Sequence, residues 1–216
     1  MTPAEQELYD FINYAVDDIQ DTFAKVFAAS GQQYRPATLK VFAESVDTGC
    51  GPASSAVGPF YCPADSKAYI DMTFYRDLRD RFGAPGDFAQ AYVLAHEYGH
   101  HIQNLLGTDD QVRRQVAGDK SLENPLSVRQ ELQADCYAGI WAHGTAKKQL
   151  IEAGDIEESI KAAQAIGDDR LQKMAGQRVN PETFTHGSSA QRARWFKRGF
   201  EAGRLDACDT FAARDL

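Results

Sequence analysis

Apolar residues recur at helical spacing along most of this chain. In residues 4–29 they return every three to four positions, which is the period of an amphipathic helix. The same periodicity predicts further helices, over residues 73–82, 88–106, 109–117, 124–148, 155–166, 168–175 and 189–202. We expect the polar side of the first helix to face water, including Asp17, Asp18 and Asp21.

Capping residues indicate where several of these helices begin and end. Asp87 suits the N-cap of helix 88–106, and Gly107 suits the left-handed position that ends it. Asn124 and Pro125 suit the N-cap and the first position of the long helix that follows. A capping-box pattern precedes the last helix, Ser188-Ser189-Ala190-Gln191. These helix ends are therefore indicated by capping chemistry as well as by periodicity.

Three short stretches have the composition of β-strands, residues 38–43, 60–62 and 67–71. Pro63 limits the second stretch to an edge position, because proline cannot donate to a sheet. Residues 47–59 are rich in glycine, proline and serine, so we expect a loop there. Together these elements predict an α+β fold, mostly helical with a small mixed β-sheet. We see no repeat and no clear second unit, so residues 1–216 are predicted to form one domain.

The composition limits the partners of this chain. Of its 216 residues, 43% are apolar, which is enough for a sizeable core. The formal net charge of −8 argues against a nucleic-acid partner, since phosphate binding requires basic patches. No apolar run approaches the length of a membrane span, and the N-terminus does not have the pattern of a signal peptide. We therefore expect no membrane insertion by this chain itself.

Four cysteines leave two interpretations open. Cys50 and Cys62 flank the segment rich in glycine and proline, Cys136 lies in a predicted helix, and Cys208 lies near the C-terminus. No pair has the C-x-x-C spacing, so a cysteine-based zinc site is not expected. Two disulfides would indicate an oxidising compartment, whereas four reduced thiols would leave Cys136 as a small buried apolar residue. The cysteine count alone does not choose between the two.

The segment His96-Glu97-Tyr98-Gly99-His100 fits the pattern H-E-x-x-H. Two histidines four residues apart lie one turn above each other on one face of a helix, so both rings can reach a single zinc ion. Glu97 lies between them and is placed to act as a general base toward water. The alternative is a buried helix whose histidines are hydrogen-bonded core residues without a metal.

A zinc site built on two histidines needs a third protein ligand. The same helix does not offer a third histidine, because the relevant positions are Gln103 and Leu106. Glu131 and Asp135 lie four residues apart on one face of the next long helix. We interpret Glu131 as the metal ligand and Asp135 as the residue that holds the other nitrogen of a ligand histidine. The alternative is a solvated helix face, but the apolar neighbours predict burial, where an unpaired carboxylate is costly.

Seven motifs along the chain resemble those of the bacterial neutral zinc metallopeptidases, and the resemblance covers nearly all of the sequence. They are Cys50-Gly51, Gly58 to Asp65, Gly86 to Tyr92, His96 to His101, Arg129 to Cys136, Ile166 to Asp169 and Phe184 to Arg192. The resemblance implies a zincin-like domain with Zn²⁺ as cofactor. It also implies a zinc-dependent peptidase of gluzincin-like type, with a peptide or protein as substrate.

The sequence gives weaker evidence that the other histidines belong to the site. His186 lies just before a predicted helix, within one of the motifs that carry the resemblance. One interpretation is a donor to the developing oxyanion or a clamp on the substrate. The other is a loop histidine that caps the following helix. We favour the catalytic interpretation for His186, and we expect His101 and His143 to be non-ligands.

We therefore predict a zinc endopeptidase in which His96, His100 and Glu131 bind zinc and Glu97 deprotonates the attacking water. An extended peptide substrate would pair with an edge strand, within residues 60–71. The main alternative is a catalytically inactive, zinc-stabilised binding or regulatory protein, although the retention of Glu97 counts against it. A helical scaffold without metal is a third interpretation.

We also predict two disulfides, Cys50–Cys62 and Cys136–Cys208. The first would close a short loop that has little core of its own. The second would tie the C-terminal segment to the helix that carries Glu131. Both imply an extracytoplasmic location, either secreted or attached to a membrane through a segment outside this chain.

Overall fold

Helices supply most of the structure in the computed structural model, which describes residues 2–216. Every predicted helix is present, and each boundary lies within two residues of its predicted position. The mostly helical α+β prediction is therefore confirmed. The helices are α1 (Pro3–Ala29), α2 (Thr73–Asp80), α3 (Asp87–Leu106), α4 (Thr108–Gly118), α5 (Glu123–Lys147), α6 (Asp155–Ala165), α7 (Asp168–Met174) and α8 (Ser189–Ala202).

The strands form a small mixed sheet and a separate hairpin. They are β1 (Thr38–Phe42), β2 (Ser45–Thr48), β3 (Gly51–Ser54), β4 (Phe60–Cys62) and β5 (Lys67–Asp71). In the mixed sheet β5 is central, parallel to β1 and antiparallel to β4. β2 and β3 pair antiparallel as the hairpin. The mixed sheet was predicted, and the hairpin was not.

The prediction of a loop over residues 47–59 is wrong. This segment holds part of β2, all of β3 and a short 3₁₀-helix, Ser55–Val57. The strands are only four residues long and one contains Pro52, so they carry too little alternation to be told from a loop. Pro52 is tolerated because both strands of a two-stranded ribbon are edge strands.

Glycines allow α5 and α8 to pack in close contact. A Cβ at Gly139 of α5 would lie 2.0 Å from the carbonyl oxygen of Phe196. A Cβ at Gly199 of α8 would lie 1.9 Å from the carbonyl oxygen of Cys136. Side chains do not approach backbone oxygens so closely, so this separation requires glycine at both positions. We call α3, α5 and α8 the three-helix layer.

Helix α1 covers the layer with a buried apolar face, Ile12, Ala15, Val16, Ile19, Phe23 and Phe27. Asp17 and Asp21 are exposed, as predicted, but the prediction that Asp18 faces water is wrong. The Asp18 carboxylate accepts hydrogen bonds from Trp141 Nε1 and Thr145 Oγ1, each at 2.8 Å. It also pairs with the Lys148 ammonium at 2.7 Å. These three donors come from α5 and its C-terminal end, so Asp18 links α1 to the layer.

Two predicted N-caps are also wrong. Asp87 is the first residue inside α3, and Gly86 occupies the cap position. The Asp87 carboxylate still lies at the positive end of the helix, where a negative charge is favourable. Helix α5 begins at Glu123, one residue before Asn124, whose side chain donates instead to the Glu182 carbonyl at 3.3 Å. The predicted C-terminal stop at Gly107 is confirmed, with φ of 77°, and so is the capping box that opens α8.

Both predicted cysteine pairs are bonded. Cys50–Cys62 spans 12 residues beside the hairpin, and Cys136–Cys208 spans 72 residues, from α5 to the 3₁₀-helix Leu205–Cys208. Two disulfides in a chain of this size are typical of an oxidising environment. Within residues 2–216, no helix has the length and apolar character needed to span a membrane.

Candidate metal centre

Helices α3 and α5 meet at Gly99, inside the H-E-x-x-H segment. A Cβ at Gly99 would lie 2.8 Å from the carbonyl oxygen of Ala134. The glycine therefore removes the side chain that would keep the backbone of α5 away from α3. Glu131 lies one turn before Ala134 on α5, so the same contact brings its carboxylate to the histidines of α3.

Three side chains converge at this helix crossing. His96 Nε2 lies 3.1 Å from Glu131 Oε2, and His100 Nε2 lies 3.4 Å from Glu131 Oε1. One ligand atom from each residue falls within 4.8 Å of the other two. His96 is buried, and the other two are partly exposed to a cleft. Two imidazole nitrogens and one carboxylate form a donor set that suits zinc with an open position.

Asp135 holds the second ring nitrogen of His96. His96 Nδ1 lies 2.9 Å from Asp135 Oδ1, and the Asp135 side chain is fully buried. Arg192 of α8 donates to both oxygens of Asp135, from Nε at 2.8 Å and from Nη2 at 3.0 Å. The Tyr92 hydroxyl donates to the same carboxylate. Asp135 is therefore a paired and fully bonded buried charge rather than part of a solvated face.

The charges at the crossing favour a cation. Burial alone would raise the pKa of Glu131, but His100 and His96 lower it below its usual range. Burial alone would lower the pKa of His96, but Asp135 and Glu131 raise it to about 10. Two carboxylates thus stabilise positive charge on or beside the His96 ring. A bound metal ion would supply the positive charge that these two carboxylates stabilise.

Glu97 lies between His96 and His100 in the sequence, and it lines the wall of a cleft. The cleft has a volume of about 590 Å³, and Glu97, His96, His100, Glu131 and His186 all line it. Burial raises the pKa of the Glu97 carboxyl above its usual value, with His96 and His100 acting in the opposite direction. A carboxylate with a raised pKa is a stronger base than one in water.

His186 faces the same cleft from the loop before α8. Its Nδ1 lies 3.3 Å from Asp168 Oδ1, and half of its side chain is exposed. The other Asp168 oxygen accepts from three successive backbone N–H groups, at Thr185, His186 and Gly187. Ser188, not His186, caps α8. The interpretation of His186 as a helix cap is therefore wrong, and its Nε2 is left for other contacts.

The two remaining histidines lie outside the cluster. His101 Nε2 contacts the Arg35 carbonyl at 2.6 Å, and its Nδ1 contacts the Tyr61 hydroxyl at 2.9 Å. His143 Nδ1 contacts the Phe200 carbonyl at 2.7 Å. Sequence reasoning did not identify Arg192 or Tyr92 as parts of the site. The available signal was that each falls within a motif used for the family resemblance.

Comparison with known proteins agrees with this geometry. A family model described as "putative neutral zinc metallopeptidase" matches residues 1–211. The chain belongs to this family. The family is one of hydrolases, and its description implies zinc, for which the cluster of His96, His100 and Glu131 offers the ligands.

Relatives at the sequence level are proteins whose names give no activity. The uncharacterized protein YpfJ of Escherichia coli (strain K12) is 49% identical over 212 residues, which are 98% of this chain and 74% of YpfJ. The uncharacterized protein Rv2575 of Mycobacterium tuberculosis (strain ATCC 25618 / H37Rv) is 48% identical over 189 residues, which are 82% of this chain and 63% of Rv2575. No solved structure gave a significant match to the chain.

Proposed function

We propose that this protein is a zinc-dependent endopeptidase. The observation that carries the proposal is the convergence of His96, His100 and Glu131 within 4.8 Å, with Glu97 beside them on the wall of an open cleft. A purely structural zinc site would be closed by a fourth protein ligand and would have no use for a buried base. His96, His100 and Glu131 would hold the metal.

The donor set decides what the metal would supply. Zinc held by two histidines and a carboxylate lowers the pKa of water and polarises a carbonyl oxygen. His96 would bind through Nε2, because its Nδ1 hydrogen is directed to Asp135. Arg192 keeps Asp135 ionised and fixed, so it supports the orientation of the ring.

Glu97 would act as the general base. Its buried carboxylate faces the cleft, and its raised pKa suits acceptance of a proton from the attacking water near neutral pH. The carboxylic acid that results can return this proton to the leaving amine. The hydrogen bond to Asp168 raises the pKa of His186 above its usual value, so the protonated ring would donate to Asp168 from Nδ1 and to the oxyanion of the substrate from Nε2.

The shape of the cleft favours an extended peptide as substrate. In the described chain β4 pairs with β5 on one side only, and Phe60 and Tyr61 of β4 line the cleft. The free edge of β4 can therefore accept a substrate strand by backbone hydrogen bonds. Strand β5 is central in the sheet, so within residues 60–71 only β4 is available. The disulfides support action outside the cytoplasm on peptide or protein substrates.

Cleavage of a peptide library by zinc-loaded protein tests the proposal. Glu97→Gln is nearly isosteric and leaves the three ligands, so we expect it to bind zinc normally and to lose at least about 100-fold in rate, the usual worth of a general base. Glu131→Ala removes one of three ligands and is expected to lose tight zinc binding. Equal cleavage by the parent and Glu97→Gln would show that Glu97 is not the base, and absence of zinc from the parent would refute the proposal.

A further inference from the structure

The two ligand histidines are held by acceptors of different kinds. The acceptor for His96 is the charged carboxylate of Asp135, whereas His100 Nδ1 lies 2.9 Å from the neutral amide oxygen of Gln103. Gln103 is fully buried and lies on α3, three residues after His100. Most buried side-chain polar atoms are hydrogen-bonded, and the partners of Gln103 determine how its amide meets His100.

The orientation of the Gln103 amide is fixed by a backbone carbonyl. Its nitrogen lies 2.7 Å from the Gln130 carbonyl oxygen, and 3.1 Å from Gln133 Oε1. A carbonyl oxygen can only accept, so the Gln103 amide must turn its NH₂ group to α5 and its oxygen to His100. The hydrogen of the His100 ring then lies on Nδ1, and Nε2, on the side of the ring that faces Glu131, keeps its lone pair for a metal ion.

Gln133 extends this chain of hydrogen bonds to a disulfide. Its side-chain nitrogen donates to the Cys208 carbonyl oxygen at 3.0 Å, and its own side chain is buried. That carbonyl again only accepts, so the Gln133 oxygen must face Gln103. The disulfide bond to Cys136 holds Cys208 in place. Cys136 itself lies on α5, three residues after Gln133.

We propose that Gln103 and Gln133 form an amide relay that positions His100 and makes its orientation depend on the Cys136–Cys208 crosslink. The relay rests on the proposed zinc site, because its effect is to aim a metal ligand. Breaking the crosslink would free the Cys208 carbonyl and release Gln133, so that Gln103 is fixed by the Gln130 carbonyl alone. Reduction of one disulfide would thereby weaken metal binding at a distance.

Zinc affinity, measured by competition with a chromophoric chelator, tests the relay. Gln103→Met keeps the volume of the side chain but loses its hydrogen bonds, so we expect a loss of about 10–100-fold, as for other groups that orient a ligand. Gln133→Met should lose less, because Gln103 keeps its bond to the Gln130 carbonyl. Gln90→Met is the matched control on α3, since the Gln90 amide oxygen has no hydrogen-bond partner in the described chain, and it should bind zinc like the parent.

A spectroscopic reading separates positioning from simple destabilisation. The visible absorption of the cobalt-loaded protein responds to ligand geometry, so it should change in Gln103→Met and not in Gln90→Met. The melting temperature of the metal-free variants is recorded alongside. A parent-like affinity and spectrum in Gln103→Met would overturn the relay.

A double-variant cycle tests the link to the disulfide. Replacing Cys136 and Cys208 by alanine should lower zinc affinity in the parent but not further in Gln133→Met, because the relay is already broken there. Replacing Cys50 and Cys62 should leave zinc affinity unchanged. Equal losses in both backgrounds would overturn the dependence on the crosslink.

If the variant without Cys136–Cys208 unfolds at the assay temperature, the cycle of Gln103→Met with Gln133→Met decides instead. Additive losses would overturn the relay, and a double variant equal to Gln103→Met would support it. A parent that binds no zinc would refute the proposed function itself, which is a different outcome from a parent that binds zinc and tolerates Gln103→Met.

Discussion

The three-helix layer and the strand segment (residues 38–72) face each other across the cleft, but they are built in different ways. The layer holds the metal-binding side chains and depends on backbone contacts at Gly99, Gly139 and Gly199 that leave no room for a Cβ. The strand segment has short strands, a small satellite core around Tyr69 and a short-range disulfide. The layer therefore fixes the ligand atoms by close backbone contact, whereas the strand segment is held by side-chain packing and a crosslink.

Among single substitutions, adding one methyl group to the layer should give the largest loss of stability. In Gly199→Ala the new Cβ would meet the Cys136 carbonyl at 1.9 Å, so α5 and α8 must separate. We expect a loss of about 3 kcal/mol or more in the free energy of unfolding, at the upper end of overpacking effects. Chemical denaturation measures the loss.

Gly118→Ala is the matched control, because a Cβ at Gly118 meets no atom within 4 Å. It should be neutral or stabilising by up to about 1 kcal/mol, because alanine is the better helix former. Similar stabilities for Gly199→Ala and Gly118→Ala would show that the layer is not as tightly packed as its geometry indicates.

Removing each disulfide compares the two regions directly. The crosslink across 72 residues restricts the unfolded chain more than the one across 12 residues. By chain entropy the expected losses are about 4 kcal/mol for Cys136–Cys208 and about 3 kcal/mol for Cys50–Cys62. Thermal or urea unfolding of the two double alanine variants measures the difference. A larger loss for Cys50–Cys62 would mean that the strand segment depends on its crosslink more than the layer does.

Asp71 gives the smallest effect and reports on the strand segment and the start of α2. Its buried carboxylate accepts from the backbone N–H groups of Thr73 at 2.8 Å and Glu44 at 3.2 Å, and from the Ser55 hydroxyl. Burial alone would raise its pKa, but these hydrogen bonds lower it below its usual value. Asp71→Asn should therefore cost about 1–3 kcal/mol at neutral pH, the usual worth of hydrogen bonds to a charge.

The pH dependence of this loss has a definite sign. A lowered folded-state pKa means that ionised Asp71 stabilises the protein above the unfolded-state pKa of about 4. This contribution disappears as the pH falls through the folded-state pKa. The difference in free energy of unfolding between parent and Asp71→Asn should therefore shrink between pH 7 and pH 3. A constant difference would show that the charge of Asp71 is not involved.

Sequence periodicity was sufficient for the helices and for the parts of the site that lie on them. His96 and His100 share a helix face by spacing alone, and Glu131 and Asp135 do the same on α5. The structure brings all four side chains together at one crossing, although their roles in binding and catalysis stay predictions. Much of the site could therefore be predicted from short-range sequence patterns, because its residues lie on long helices.

Contacts between distant elements could not be predicted in this way. Arg192 reaches Asp135 across 57 positions of sequence, and Gln133 reaches Cys208 across 75. Both contacts depend on how α8 and the C-terminal segment pack against α5, which no local period encodes. Asp18 was misjudged for the same reason, since a polar residue on a helix surface looks solvated until its partner helix is known.

The Asp135–Arg192 ion pair also bears on the timing of folding. During synthesis α3 and α5 leave the ribosome before α8, so for that interval Asp135 has no Arg192 to accept from. Asp135 then keeps only its hydrogen bonds from Tyr92 and His96 of α3, and one carboxylate oxygen loses its Arg192 donor. Burying a carboxylate with incomplete hydrogen bonding is costly, so the nascent chain is expected to close α3 and α5 on one another less firmly than the complete protein does. Zinc uptake by stalled nascent chains should accordingly become tighter once α8 has emerged. The order of residues along the chain would then delay full hydrolytic activity until α8, close to the C-terminus, has been synthesised.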